Sequence, residues 1–463
     1  MLRKIFMTLT FLAVISALCL MLPVMAAESD FSYMTVGNEV TITRYNGSSA
    51  DVTVPAVLEG KPVTVIGKNA FKQNQYIKNV ILPENIKVID SYAFTQCPSL
   101  IRIILPNTLK TVKGEAFSDC YSLQEIVIPE SIDFIGNRAF MNCTALTSIT
   151  FPDKPFALSA FAFNNTAYYN NTSNWENHAL HIGSHLVTTD QKINGSYTVK
   201  EGTRFVDNYA LRYNPFMTEV VFPESVEHIG GYNFDGCERL NEVIFPQNIT
   251  TINWGMFTGA GIKSIKLPET VTDITYKIFN GCANLSHITL PKNIKSIGES
   301  TFFGCINLTE VVVPEGVTTI DEFAFTHCEW LETIVLPSTL TTLQENAFSG
   351  CLALKNVYFC GTEEQWNKID IVPSQSANPT PSPITTVAKT FDYKLPEETK
   401  ETTALEETLK ENEVLETNPI ESGKDKDIIQ MPEEKSTSYL WIIIVVAAIL
   451  VGIVAITATR KKK

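Results

Sequence analysis

The sequence predicts a β-rich solenoid of about twelve coils, each of 22–23 residues. Three series of residues predict it. Pro83, Pro106, Pro129 and Pro152 stand 23 residues apart, and Pro223, Pro246, Pro268, Pro291, Pro314 and Pro337 resume the interval with one step of 22. Phe94, Phe117, Phe140, Phe234, Phe257, Phe279, Phe302, Phe325 and Phe348 keep the same beat. So do Cys97, Cys120, Cys143, Cys282, Cys305, Cys328 and Cys351. A constant period in this range marks stacked units, each too small to bury its apolar side alone. Such a stack offers a long surface and no obvious catalytic pocket, so recognition is the first functional expectation.

A single coil shows why the phrase folds this way. In Leu285 to Cys305, Ile288 and Leu290 alternate as a strand does and point to one side. Pro291 ends that strand by removing a donor. Ile294 and Ile297 begin a second short extended segment, and Gly298 permits the bend after it. Glu299 to Gly304 then has room for a short helical or 3-10 turn that drives Phe302 inward. Stacking pairs each strand with its neighbours in parallel, and twelve coils at about 4.8 Å each extend on the order of 60 Å.

Taken in order along the chain, residues 1–26 read as a signal peptide: Arg3 and Lys4, an apolar stretch from Ile5 to Leu22, then Val24-Met25-Ala26 at the cleavage position. Residues 27–54 form an N-terminal cap, in which Val40, Ile42, Val52 and Val54 alternate as short strands. Residues 55–163 are the first repeat block and residues 199–359 the second. Residues 164–198 lie between them as an irregular joint or insertion. There the stack is expected to continue, with an outward excursion at Tyr168 to Asn177. Residues 360–372 form a C-terminal cap, where Thr362-Glu363-Glu364-Gln365 starts a capped helix and Trp366 and Ile369 cover the last coil.

Beyond the cap, residues 373–438 read as a disordered stalk, with 14 acidic and 7 basic residues and few large apolar ones. Residues 439–459 are apolar and long enough for one transmembrane helix, with Tyr439 and Trp441 at its edge. Arg460, Lys461, Lys462 and Lys463 form a basic tail that places the C-terminus in the cytoplasm and the solenoid outside.

The phrase Glu310-Val311-Val312-Val313-Pro314, with Val317, Ile320, Ala324-Phe325, Cys328 and Leu331, resembles the BspA-like leucine-rich repeat family. The likeness spans roughly residues 55–370 and extends to Asn164-Asn165-Thr166-Ala167-Tyr168-Tyr169, Asn174-Trp175 and Gly361-Thr362-Glu363-Glu364-Gln365-Trp366. The resemblance implies a leucine-rich-repeat solenoid on a cell-surface protein, adhesin-like, with no catalytic residues to carry over.

Charge and cysteine narrow the partners. The formal charge of −14 becomes −20 for residues 27–438 once two N-terminal and four C-terminal basic residues are set aside. Nucleic acid needs basic patches and is excluded as a partner. Ten cysteines in a secreted chain ordinarily suggest disulfides, but here eight share one repeat slot, which Ala260 and Asn74 also fill. A slot accepting Cys, Ala or Asn is a small buried turn position, so free thiols are expected.

The candidate ligand surface is the outward position between the two core residues of each first strand. It comprises Ile81, Ile104, Val127, Thr150, Val221, Ile244, Lys266, Thr289, Val312 and Val335. Nine of these ten are β-branched and seven are apolar, so in register they form a ribbon along one face. His178, His181 and His185 do not read as a metal site, since no carboxylate stands nearby in the sequence at a suitable spacing. No phosphate loop, Gly-x-Ser-x-Gly or His-Glu-x-x-His occurs, so no catalytic residue, cofactor or metal is assigned. The expected function is therefore a membrane-tethered surface protein binding an extracellular protein or glycan, without catalysis. A homotypic structural role is the alternative, and a glycan hydrolase the third reading.

Overall fold

A computed structural model describes residues 27–159, 161–373 and 382–395. The expected signal peptide, most of the stalk and the transmembrane helix lie outside the described residues. Among the described residues, no helix is long and apolar enough to cross a membrane.

The repeating phrase folds as a β-solenoid in which every regular coil contributes two short strands. The first strands run in parallel, as in Asn79–Ile81 on Arg102–Ile104, with Val80 opposite Ile103 and Ile81 opposite Ile104. The second strands form their own ladder, as in Val88–Ile89 on Thr111–Val112. Because the period holds at 23, a residue meets its own counterpart one coil on. Like side chains therefore stack into ladders. Phe94 and Phe117 lie 5.1 Å apart with rings 3° from parallel, and Phe117 and Phe140 lie 5.0 Å apart at 4°.

The third side of each coil is a turn whose amides alternate in partner. Ala93 and Thr95 donate back within the turn, to Asp90 and Tyr92, while Phe94 and Gln96 donate forward to Ala116 and Ser118 of the next coil. Local bonds of this kind are 3-10-like, but a full 3-10 helix appears only at Glu345–Phe348 among the described repeat turns. The alternation requires left-handed backbone at Tyr92 (φ 63°) and Gln96 (φ 59°). It recurs one period on at Glu115 and Asp119, then at Arg138 and Asn142.

At the N-terminal end, Phe31–Val36 and Glu39–Tyr45 form an antiparallel hairpin, and the second strand joins the parallel ladder at Lys61–Ile66. Val40 and Ile42 are fully buried under it. At the other end, Glu363–Trp366 is a short helix with a complete capping box between Thr362 and Gln365.

The composition places the start of the stalk at 373, and here the structure differs. Pro383–Thr385 is a 3-10 turn with Ile384 fully buried, and Lys389–Thr390 adds a strand to Asn356–Phe359. Tyr393 stacks on Tyr358 at 4.3 Å and its amide bonds the Phe359 carbonyl. The average composition of 373–438 hides the local run Ile384, Val387 and Phe391, whose apolar side chains pack on the last coil.

The hydrophobic interior consists of two clusters that divide at residues 164–198. Phe163 ends the regular coils of the first, and Leu211 takes the phenylalanine slot in the second. The hairpin of Ala179–Ile182 and His185–Thr189 bridges them: Ile182 belongs to the first cluster, Ala179 and Leu186 to the second. The apolar interior thus passes through the joint, but the parallel ladder does not. Its first run ends at Ala157–Leu158, and a new sheet starts with the hairpin.

Candidate binding site

In the ribbon, Ile81 faces Ile104, Val127 faces Thr150, Val221 faces Ile244, Lys266 faces Thr289 and Val312 faces Val335. Ile104, Val127, Ile244, Lys266, Thr289 and Val312 are exposed, Val127 at 51%; Ile81, Thr150 and Val221 are half-buried. Val335 departs from the expectation, being only 1% exposed. Its other in-register neighbour is Tyr358, a ring backed by Tyr393, where the earlier coils carry β-branched residues or lysine. An aromatic covers more of its neighbour than a β-branched side chain does, so the exposed ribbon stops at Val312.

The joint makes a second surface. With the ladder interrupted, the two blocks are linked by polar contacts. Tyr168 donates to the His181 carbonyl at 3.0 Å, Ser184 to Asp153 at 2.9 Å, and Asn208 to the Leu158 carbonyl at 3.3 Å. On one side of Asn208 opens a cleft of about 530 Å³, with Phe161, Trp175, His178, Asp190, Arg212 and Tyr213 among its lining. A smaller cavity of about 270 Å³ lies on the other side, against Asp207, His228, Asn253 and Trp254.

Short local structure builds the cleft wall. Thr166 caps the one-turn helix Ala167–Asn170, and Asn171 caps the 3-10 turn Thr172–Asn174 that follows. Trp175 is then fixed by its indole N–H on the Tyr169 carbonyl at 2.7 Å and by the Tyr169 ring, edge to face at 5.2 Å. The charges within the cleft are paired. His178 Nδ1 lies 3.1 Å from both oxygens of Asp190, and Arg212 donates to Asp235 at 2.6 Å. Burial pushes the Asp190 carboxyl up, but its bonds from His178 and the Lys192 amide outweigh that and hold it below its ordinary value.

The three histidines part company. His178 reaches the cleft, His181 meets the Thr203 hydroxyl at 3.3 Å, and His185 is fully buried. His185 places Nε2 3.3 Å from the Pro152 carbonyl and Nδ1 3.1 Å from Asp207 Oδ1. A carbonyl only accepts, so the Pro152 contact is one in which Nε2 donates, which leaves Nδ1 facing the Asp207 carboxyl. Burial pushes the Asp207 carboxyl up against the pull of His185, and its Oδ2 has no hydrogen-bond partner among the described residues. Among the described residues, no group of three or more His, Cys, Asp or Glu is placed to hold a metal ion.

Sequence reasoning missed Phe161, Asp207, Arg212 and Tyr213. Asp207 stands 22 residues after His185, one period, so it is a neighbour in the stack although distant in the chain. Phe161 stands 23 residues after Arg138, in the left-handed slot whose side chains point outward from the turn. Reading residues modulo the period would have placed both.

The profile of the BspA type leucine rich repeat region, in six copies, matches residues 64–194, 204–305 and 252–369. The chain belongs to the BspA-type leucine-rich repeat family. Among solved structures, this BspA-type chain is similar to a leucine rich cell surface protein of Faecalibacterium prausnitzii, at 24% identity over 74% of this chain and 97% of that one, with a TM-score of 0.33. It is also similar to a leucine-rich repeat protein of Bacteroides ovatus, at 19% identity over 79% and 99% of the two chains and a TM-score of 0.28. The pneumococcal vaccine antigen PcpA matches at 17% identity over 76% and 98%, with a TM-score of 0.34. No curated protein matches this BspA-type chain.

Proposed function

We propose that this BspA-type protein is a membrane-tethered, adhesin-like recognition protein that presents its solenoid to an extracellular protein or glycan. The observation that carries the reading is the interruption at 164–198. In a stack otherwise built for repetition, it opens a cleft lined by aromatic and amide side chains. The reading is non-catalytic. Glycoside hydrolysis uses a pair of carboxylates, and among the described lining residues Asp190 is the only acid. The tether is assigned to residues 439–459, from their apolar length and the basic residues after them.

The test is adhesion by cells displaying the full chain, on surfaces coated with matrix proteins or with polysaccharides. Binding to either class supports the reading, and retention of the chain in carbonate-washed membranes supports the tether. Clumping of displaying cells with no binding to any coated surface would favour the homotypic alternative, carried by the exposed run Ile104, Val127, Ile244 and Val312.

A further inference from the structure

Resting on that recognition reading, we propose that the cleft at the joint is a binding site for a neutral carbohydrate chain. Phe161 and Trp175 would serve as the stacking surfaces, and Asn164, Thr172 and Gln191 as partners for hydroxyl groups. Four observations carry it.

The first is an exposed ring with nothing against it. Phe161 is 50% exposed at the mouth of the cleft, and among the described residues it makes no ring contact. Its slot holds Glu115 and Arg138 in the two preceding coils, so an apolar ring is not what the turn itself demands. A half-exposed phenylalanine and a half-buried tryptophan lining one cleft offer two flat apolar surfaces, which match the C–H faces of pyranose rings.

The second is the charge balance. An anionic ligand would look for an uncommitted cation, but Arg212 is held by Asp235 and lies over the Tyr213 ring at 4.0 Å. A cationic ligand would look for an uncommitted carboxylate, but Asp190 is engaged by His178 and the Lys192 amide. Pairs already matched leave little for a charged ligand to gain against its own desolvation.

The third is the remaining polar inventory. Among the described residues, the side chains of Asn164, Thr172 and Gln191 make no hydrogen bond within the protein, and all three line the cleft. Amides and a hydroxyl each donate and accept, which suits hydroxyl groups that do both. The fourth is size. A cleft of about 530 Å³ falls in the small-molecule range of roughly 300–1,000 Å³, so it suits a short run of sugar rings rather than a folded partner.

The test is titration calorimetry on the purified full chain in a detergent without a sugar headgroup. The probes are the hexasaccharides of cellulose, xylan, mannan and chitin, with a hyaluronan hexasaccharide as the anionic comparison. At least one neutral hexasaccharide is expected to bind, with hyaluronan weaker. Phe161→Asn removes the ring while asparagine tolerates the left-handed backbone (φ 61°). It is expected to weaken binding at least tenfold at an unchanged melting temperature. Phe161→Tyr is expected to bind as the parent does.

No neutral binding, binding confined to hyaluronan, or binding indifferent to Phe161→Asn each overturns the proposal. If no hexasaccharide binds while displayed chain still adheres to a matrix protein, this site falls and the recognition reading stands. If neither occurs, both fall.

Discussion

The thiol of Cys305 donates to the carbonyl of Phe279, one coil earlier, at 3.2 Å. The same bond recurs from Cys97 to Phe71, Cys120 to Phe94, Cys143 to Phe117, Cys282 to Phe257, Cys328 to Phe302 and Cys351 to Phe325. The slot is therefore more than a small apolar space. It carries a donor that satisfies part of a buried carbonyl where no water reaches. All nine described cysteines are free, and the repeat-slot cysteines are buried.

Cys305→Ala removes that donor and leaves a small void. We expect a loss of about 1–3 kcal/mol in a urea melt. Alkylation gives a second readout. Burial pushes the Cys282 and Cys351 thiols up to about 12, so the repeat thiols of the folded protein should resist iodoacetamide at pH 8, while the half-buried Cys360 reacts first.

Gly261 marks the one coil that is a residue short. The phrase Cys237-Glu238-Arg239-Leu240 becomes Ala260-Gly261-Ile262, and the shortened turn drops onto the coil before it. A Cβ at 261 would stand 1.8 Å from the Glu238 carbonyl oxygen, a backbone atom that cannot swing aside. Gly261→Ala should cost about 3 kcal/mol or more by chemical denaturation. A melt matching the parent would show that the coil can shift.

Val312 and Val335 occupy the same slot in adjacent coils, yet the first is 37% exposed and the second 1%. Val312→Glu should leave the melting temperature within about 2 °C of the parent. Val335→Glu should lower it by about 5 °C or more, because a buried unpaired carboxylate is strongly disfavoured. If Val312→Glu also leaves adhesion unchanged, the ribbon is not the ligand surface.

His181 supplies a pH signature. Burial, then Lys200, lowers its pKa to about 4, against the opposite pull of Glu176. The unfolded chain takes the proton first, near pH 6.5, so the contribution of neutral His181 is complete above that value and is lost as pH falls toward 4. Thermal melts from pH 7 to 4 should show a smaller decline in His181→Gln than in the parent. Equal slopes would mean that His181 is more hydrated than its surroundings indicate.

Much of the fold was legible because the period carries its own tertiary information. Once Phe302 and Phe325 are seen to recur at 23, their stacking at 5.1 Å follows from parallel strand spacing alone. The candidate site was legible only in part. Composition hid Ile384 and Phe391 in a segment that averages as stalk, and burial of Val335 depends on Tyr358 and Tyr393 at the end of the stack. Phe161, Asp190 and Arg212 come from different turns, and Phe161 shares a cleft with the other two only where the ladder breaks between Leu158 and the sheet that carries His185–Thr189.

By itself the sequence determined the repeated coil, its apolar ladders and its membership of the BspA-type family, because a strict period forces each residue against its own counterpart. Only the tertiary structure decided where that rule stops. At the joint and at the final coil, neighbours are set by packing between unlike segments, and no periodic pattern specifies which side chains will meet there.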